Sequence, residues 1–163
     1  MDYQLIVPYI PNLRRYARAL IGDREGADDL VQDTLERAVR KFHLWKPGDL
    51  RAWLFSIMHN VFVNQLKARK IAYEIEVDES IAAPMSSVTA TDLMDLDRAL
   101  AAISPDQREV VLLIALEDMT YAEVARALGI PIGTVMSRLS RGREKLRRLM
   151  EGESGRGPLR VIQ

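Results

Sequence analysis

The sequence predicts an all-α protein built from two small helical domains. Three observations carry that reading. Apolar residues recur at helical spacing in both halves of the chain. Helix-capping signals punctuate the second half: Ser104-Pro105-Asp106-Gln107 and Thr120-Tyr121-Ala122-Glu123 each place a hydroxyl three positions before a Gln or Glu. Between the halves, residues 71–96 hold 6 acidic side chains and no basic one, with scattered apolar residues, Pro84 and the Ser86-Ser87 pair. The expected division is a first domain over 1–71, a flexible acidic linker over 72–91, a second domain over 92–150 and a disordered tail over 151–163. A flexible linker of that length spans roughly 25 Å, and so long a structureless stretch belongs between domains rather than inside one. A short strand or an extra helical turn over Tyr73–Val77 is the alternative.

The first helix is expected from Leu5 to Leu20, with Leu5, Tyr9, Leu13, Tyr16 and Leu20 on one face. Pro8 and Pro11 predict a break near its start, and Gly22 a C-terminal cap. A second helix is expected from about Gly26 to Phe42, with Asp28 and Asp29 in its first turn, where the helix dipole favours negative charge. Trp45-Lys46-Pro47-Gly48 forms a loop. A third helix follows from about Asp49 to Lys70. It is apolar on two faces, Leu50, Trp53, Leu54, Ile57 and Val61 on one, Phe55, Phe62 and Leu66 on the other. Burial on both sides is the favoured reading, and a docking face for a partner is the alternative. Leu93, Leu96, Leu100 and Ile103 mark a fourth helix. A fifth carries the apolar run Val110–Leu116 after the Ser104 cap. A short sixth opens at Thr120 and ends at Leu128 with Gly129 as its cap, and a seventh runs to about Met150.

Composition excludes several function classes. The chain has 163 residues and no Cys, which removes disulfides, thiolate zinc sites and Cys nucleophiles together. Two histidines are too few for a metal site on their own. No cofactor site, acid–base dyad or nucleophile is evident, so no enzymatic activity is expected. The longest apolar run is far below the ~20 residues of a membrane span, and no basic stretch precedes an apolar core near Met1. A soluble, cytoplasmic protein is the expectation. The 23 basic and 23 acidic side chains sum to zero, which at face value argues against nucleic acid. The sum hides a distribution. Residues 1–70 carry 12 basic and 8 acidic side chains, residues 71–96 none and 6, residues 97–163 11 and 9. Two mildly basic blocks flank an acidic strip.

Thr120–Leu146 reads as a helix-turn-helix. Val124, Ala125 and Leu128 line the inner side of the first helix, and Gly129 permits the sharp turn. Projected at about 100° per residue, Val135, Leu139, Gly142 and Leu146 form the core stripe of the second helix. Ser137, Ser140, Arg141 and Glu144 face away, with Arg138, Lys145 and Arg143 on the flanks. A major-groove reader needs this arrangement: donors for base edges near the helix N-terminus, cations for phosphates beside them.

At this point the chain resembles the extracytoplasmic-function sigma factors of bacterial RNA polymerase. Ala27-Asp28-Asp29-Leu30-Val31-Gln32-Asp33-Thr34 through Ala38–Phe42 resembles sigma region 2.2, and Leu50–Ile57 through Asn60 the promoter-contacting helix that follows. Leu100–Val110 and Ile130–Arg143 resemble region 4. The resemblance covers about residues 5–70 and 93–150. It implies that Asp29, Gln32, Asp33 and Glu36 dock on the polymerase β′ coiled coil, and that region 4 meets the β flap. It implies that the loop from His43 to Asp49 captures a flipped base of the minus-ten element, with Trp45 and Lys46 as candidates. Trp45 serves equally well as a core plug, and both readings stay open. Arg51, Asn60, Asn64, Lys67, Arg69 and Lys70 would add strand contacts from the third helix. His59 is read as a polar or strand-facing position and Trp53 as core.

For the minus-thirty-five element, Ser137, Ser140 and Arg141 are the expected base-edge residues. Thr134, Arg138 and Arg143 are expected at phosphates, with Thr120 and Tyr121 from the first helix of the motif. Met136 stands where family members often carry Lys or Arg; it can touch a thymine methyl but cannot hydrogen-bond guanine. The resemblance also implies a stress-response regulon and an anti-sigma factor as partner, with Phe55, Phe62 and Leu66 as a candidate docking face. The free protein is expected to be a monomer. Two other readings compete. A polymerase-independent helix-turn-helix regulator leaves the first block without a role. A sigma mimic that sequesters an anti-sigma factor predicts a degraded recognition helix, and this one is intact.

Overall fold

A computed structural model describes residues 3–77 and 95–152. Among them are seven α-helices and no strand: α1 (Ile10–Ile21), α2 (Arg24–Arg40), α3 (Leu50–Val77), α4 (Leu96–Ala102), α5 (Pro105–Ala115), α6 (Tyr121–Leu128) and α7 (Ile132–Met150). Leu93, most of the expected linker and the tail from residue 153 lie outside the described residues.

Local chemistry sets the boundaries. Tyr3–Leu5 and Val7–Tyr9 form 3-10 turns, and α1 begins only at Ile10. Pro8 and Pro11 supply no N–H to a helix ladder, so the regular helix starts where their missing donors cost nothing. Gly22 ends α1 at φ 95°, a conformation side chains resist. Asp23 caps α2, its carboxylate accepting from Gly26 N at 2.6 Å. Helix α2 therefore starts two residues before the expected Gly26, and it stops at Arg40 rather than Phe42. Asp49 caps the start of α3 by accepting from Ala52 N at 3.0 Å.

Helix α3 corrects one boundary. It continues to Val77, through residues 72–77 that the sequence reading gave to the linker. No Gly or Pro interrupts Lys70–Val77, so nothing local stops propagation. The extra-turn alternative over Tyr73–Val77 holds in helical form.

The first block packs α1 on α2 and α2 on α3. Leu13, Tyr16, Ala17 and Leu20 of α1 meet Ala27, Leu30 and Ala38 of α2 and Leu54, Phe55, Met58 and Val61 of α3 in one buried cluster. Tyr16 and Phe55 meet edge to face, ring centroids 5.0 Å apart. Thr34 is buried within this core and satisfies its hydroxyl by donating to Leu30 O at 2.7 Å. The second block wraps α4, α5 and α6 around α7 and α5 on α6. Ser104 caps α5 by accepting from Gln107 N, whereas Thr120 and Glu123 form a complete reciprocal box at α6.

Gly142 marks a close approach of two helices in this block. A Cβ there would lie 2.9 Å from Val111 Cγ2 and 3.2 Å from Gln107 Cβ, so α7 meets α5 almost backbone to side chain. Gly142→Leu is expected to cost about 1–3 kcal/mol by overpacking, read as a lower urea midpoint. An unchanged midpoint would mean that α5 and α7 separate freely.

The two blocks are not held apart. Helix α1 contacts α4 and α5, and α3 contacts α6. This explains the doubly apolar α3: α2 covers one side and α6 from the other block covers another. Phe55 and Phe62 are both 2 % exposed and Leu66 is half-buried. Phe55 and Phe62 therefore belong to the core, as the favoured reading expects, and of the three only Leu66 keeps exposed surface.

Candidate promoter-binding and polymerase-binding surfaces

Helix α7 presents the expected recognition face. Val135, Leu139 and Gly142 are buried, while Ser137, Ser140, Arg141 and Arg143 are exposed and Thr134 is half-buried. Ser137 Oγ donates to Thr134 O at 3.3 Å, so its hydroxyl has a local partner in the absence of DNA. Arg138 leans toward α5, 3.8 Å from Asp106. Arg147 and Arg148 are tied to Glu144, and Arg147 also to Glu151. The Arg147 hydrogen bond holds the Glu144 carboxyl below its ordinary range. Arg141, Arg143 and Lys145 form no ion pair among the described residues and are left for a ligand, whereas Arg138, the cation nearest the helix N-terminus, is paired with Asp106. Met136 is 50 % exposed beside Tyr121, and both line a shallow cleft of about 350 Å³ with Ser140 and Arg143. Thr120 is exposed, but its side chain is engaged in the α6 cap.

The loop after α2 carries Trp45 half-buried and Lys46 exposed. Trp45 stacks on Phe42, centroids 5.4 Å apart at 30°, and Phe42 in turn meets half-buried Trp53 edge to face. Trp45 also lines a cavity of about 390 Å³ with Leu44, Lys46, Asp49 and Trp53. Its ring thus leans on the core and borders an open cavity at once. Asn60, Asn64 and Lys67 are exposed and share one face of α3, within about 60° at 100° per residue. Arg69 falls on the opposite side and Lys70 on a flank, so the structure does not bring these two into the same row.

Arg51 is placed differently from expectation. Its guanidinium donates to Glu117 O at 3.0 Å and to Glu123 Oε1 at 3.4 Å, both in the second block. Of the two readings of His59, polar or strand-facing, the polar one fits its contact: Nδ1 lies 2.8 Å from Glu109 Oε2. Glu109 and Glu117 are each 2 % exposed. Burial raises the Glu109 carboxyl above its ordinary range, against the opposing pull of His59. Glu117 receives Arg15 in a forked pair, Nη2 to Oε1 at 3.1 Å and Nε to Oε2 at 3.3 Å, and Asn12 at 3.3 Å. Arg108 donates to Leu20 O at the end of α1 and to Leu100 O and Ile103 O at the end of α4, neutralising helix C-terminal carbonyls from both blocks. Burial lowers its pKa. Neither Glu109 nor Glu117 is among the residues that the sequence singles out. The available signal was Glu109 and Glu117 bracketing the apolar run of α5.

On α2, Asp29, Gln32, Asp33 and Glu36 are all exposed along one stripe at i, i+3, i+4 and i+7. Gln65 of α3 donates to Asp33 Oδ2 at 3.3 Å. Gln32 and Glu36 line a groove of about 1020 Å³ shared with Arg14 and Arg18 of α1. Among the described residues no group of three or more acidic or His side chains is arranged to hold a metal ion, and no helix is long and apolar enough to cross a membrane.

A three-helix block is thus followed by a block that ends in a helix-turn-helix. Residues 6–59 match the family model for the Sigma2 domain of PhyR, and residues 93–146 match Sigma-70, region 4. The ECF RNA polymerase sigma factor EcfG of Rhodopseudomonas palustris is 34 % identical over 160 residues, covering 94 % of this chain and 88 % of that protein. The RNA polymerase sigma-E factor of Streptomyces coelicolor is 36 % identical over 141 residues, covering 83 % and 77 %. The chain belongs to the extracytoplasmic-function RNA polymerase sigma factors. Among solved structures, the sigma factor RpoE of Bartonella quintana, in complex with the anti-sigma factor NepR, superposes with a TM-score of 0.76 at 35 % identity, over 92 % of this chain and 96 % of that one. CnrH in complex with the cytosolic domain of CnrY superposes at 0.68 and 27 %, over 92 % and 87 %.

Proposed function

We propose that this chain binds core RNA polymerase, recognises minus-ten and minus-thirty-five promoter elements and starts transcription of a stress-response regulon. The observation that carries this is the exposed face of α7, where Ser137, Ser140 and Arg141, which has no ion pair among the described residues, stand in register above a buried core stripe. The exposed stripe of Asp29, Gln32, Asp33 and Glu36 offers charge-assisted hydrogen bonds to a basic partner, here the β′ coiled coil; the second block meets the β flap. Trp45 and Lys46 capture a flipped base, because an unstacked base needs a π-face and its backbone a cation. Asn60, Asn64 and Lys67 hold the melted strand, with Lys70 at its edge. Arg51 joins them only when it leaves Glu117 and Glu123. Thr134, Arg138, Arg143, Thr120 and Tyr121 fix α7 on the phosphates, and Met136 reads a thymine methyl. Two linked domains need not bind tightly alone, because docking one raises the effective concentration of the other. The RpoE–NepR structure supports an anti-sigma factor as the restraining partner.

The test is transcription by core polymerase on a promoter library with this protein as the sole added factor. Specific start sites are expected; their absence, with duplex binding retained, leaves a polymerase-independent regulator. Arg141→Ala is expected to cost about 1–3 kcal/mol and relax readout at one minus-thirty-five position. A uniform loss across all sequences would make Arg141 a phosphate contact. One observation favours a second reading, that of a sigma mimic: the first block matches the PhyR Sigma2 model. A mimic binds the anti-sigma factor and yields no start sites.

A further inference from the structure

The full chain has 7 Met and no Cys, so thioethers are its only sulfur groups. Met58 and Met119 are core residues, 0 % and 3 % exposed. Met1, Met85 and Met94 lie outside the described residues. Met150, at the end of α7, is 37 % exposed, and Met136 is more open still. The most exposed Met among the described residues therefore stands on the face read as promoter-binding. Met136, Ser140 and Arg143 follow at i, i+4 and i+7 on α7, and all three line the cleft of about 350 Å³ beside Tyr121. Glu144 borders the same cleft, but its carboxylate is tied to Arg147 and Arg148. Arg143 forms no ion pair among the described residues. An exposed thioether thus sits next to a hydroxyl and a guanidinium that can donate to a new oxygen.

We propose that Met136 is a site of oxidation by peroxide, and that its sulfoxide withdraws α7 from the minus-thirty-five element. The proposal rests on the promoter-binding reading above. The thioether sulfur attacks one oxygen of hydrogen peroxide. An S–O bond forms, the O–O bond breaks, and the second oxygen leaves as water with both protons. Sulfur is oxidised by two electrons and the peroxide is reduced by the same two. The product is a polar, chiral side chain with a strong acceptor oxygen. It no longer packs on a thymine methyl, which needs an apolar contact. Its oxygen accepts from Ser140 Oγ and from the Arg143 guanidinium, the groups that α7 otherwise turns to base edge and phosphate. One added oxygen therefore removes an apolar contact and occupies two donors. Enzymatic reduction of the sulfoxide reverses the change.

The full chain is treated with hydrogen peroxide, freed of it, mixed with core polymerase and run on the promoter library, while peptide masses locate the added oxygen. Oxygen is expected at Met136 before Met58 or Met119. Output should fall about tenfold, the worth of one lost base-pair contact, and methionine sulfoxide reductase should restore it. Each variant is compared with its own untreated form. Met136→Leu should keep its output through the treatment, and Met150→Leu should lose output as the unchanged protein does. Met136→Gln, polar without any oxidant, should lack the thymine preference from the outset. A loss that persists in Met136→Leu places the damage elsewhere and overturns the proposal. Oxygen at Met136 with unchanged output overturns it too, and leaves the sigma reading standing. If the untreated protein yields no start sites, the sigma reading falls, and the same comparison is made on duplexes that the untreated protein selects from a random library. Binding there that peroxide weakens upholds the Met136 switch; selection of no duplex overturns both.

Discussion

Phe55→Ala is expected to cost the first block about 3–5 kcal/mol, a large part of the 5–15 kcal/mol that holds a typical domain folded. Phe55 is 2 % exposed and its ring meets Tyr16 edge to face, so truncation removes apolar burial and leaves a cavity between α1 and α3. Chemical denaturation followed by far-ultraviolet circular dichroism reads the loss as a fall in midpoint of at least 1 M urea, for a slope of roughly 1–3 kcal/mol per molar. Phe62→Ala should behave alike, and Leu66→Ala should cost less because Leu66 is only half-buried. Unchanged midpoints with lost binding to a partner would restore the docking-face reading of this stripe.

His59→Leu has the second large effect, and its size depends on pH. The substitution leaves Glu109 buried with no donor at 2.8 Å. Breaking a buried pair from one side costs about 3–5 kcal/mol when the remaining group stays charged. Glu109 escapes that cost by taking a proton. Burial raises its pKa in the folded protein above the ordinary 4.5, and removing His59 removes two influences that lower it. A raised folded-state pKa means that the folded form binds the proton more tightly. Its contribution is therefore fully present below pH 4.5 and is lost as pH rises through the raised value. The penalty of His59→Leu should be small at acid pH and grow toward neutrality. Adding Glu109→Gln should remove that slope. A penalty independent of pH would show that His59 acts by packing and not through Glu109.

Both results depend on residues whose roles differ in legibility. The apolar stripes of α1, α5 and α7, the Thr120–Glu123 box and the Gly129 turn were legible because each is written within a few residues of itself. The recognition face of α7 was legible for the same reason: a 3.6-residue period separates Val135, Leu139 and Gly142 from Ser137, Ser140 and Arg141. The end of α3 is ambiguous in the sequence because acidic composition favours a linker, whereas Ala72–Val77 contains no residue that breaks a helix. The partners of Arg51 and His59 lie 66 and 50 residues away. No local pattern encodes a contact across that separation.

The sequence by itself determined the all-α class, the two blocks, the helix-turn-helix and the residues that face outward on α7. Each follows from backbone periodicity, capping and turn chemistry, which act over one or two helical turns. Only the tertiary structure decided that the doubly apolar α3 is covered by α6, that Phe55 and Phe62 are core, and that Glu109 and Glu117 are matched from the other block. Those outcomes turn on which surfaces exclude water from each other. Desolvation of a carboxylate depends on everything packed around it and on nothing in its immediate sequence.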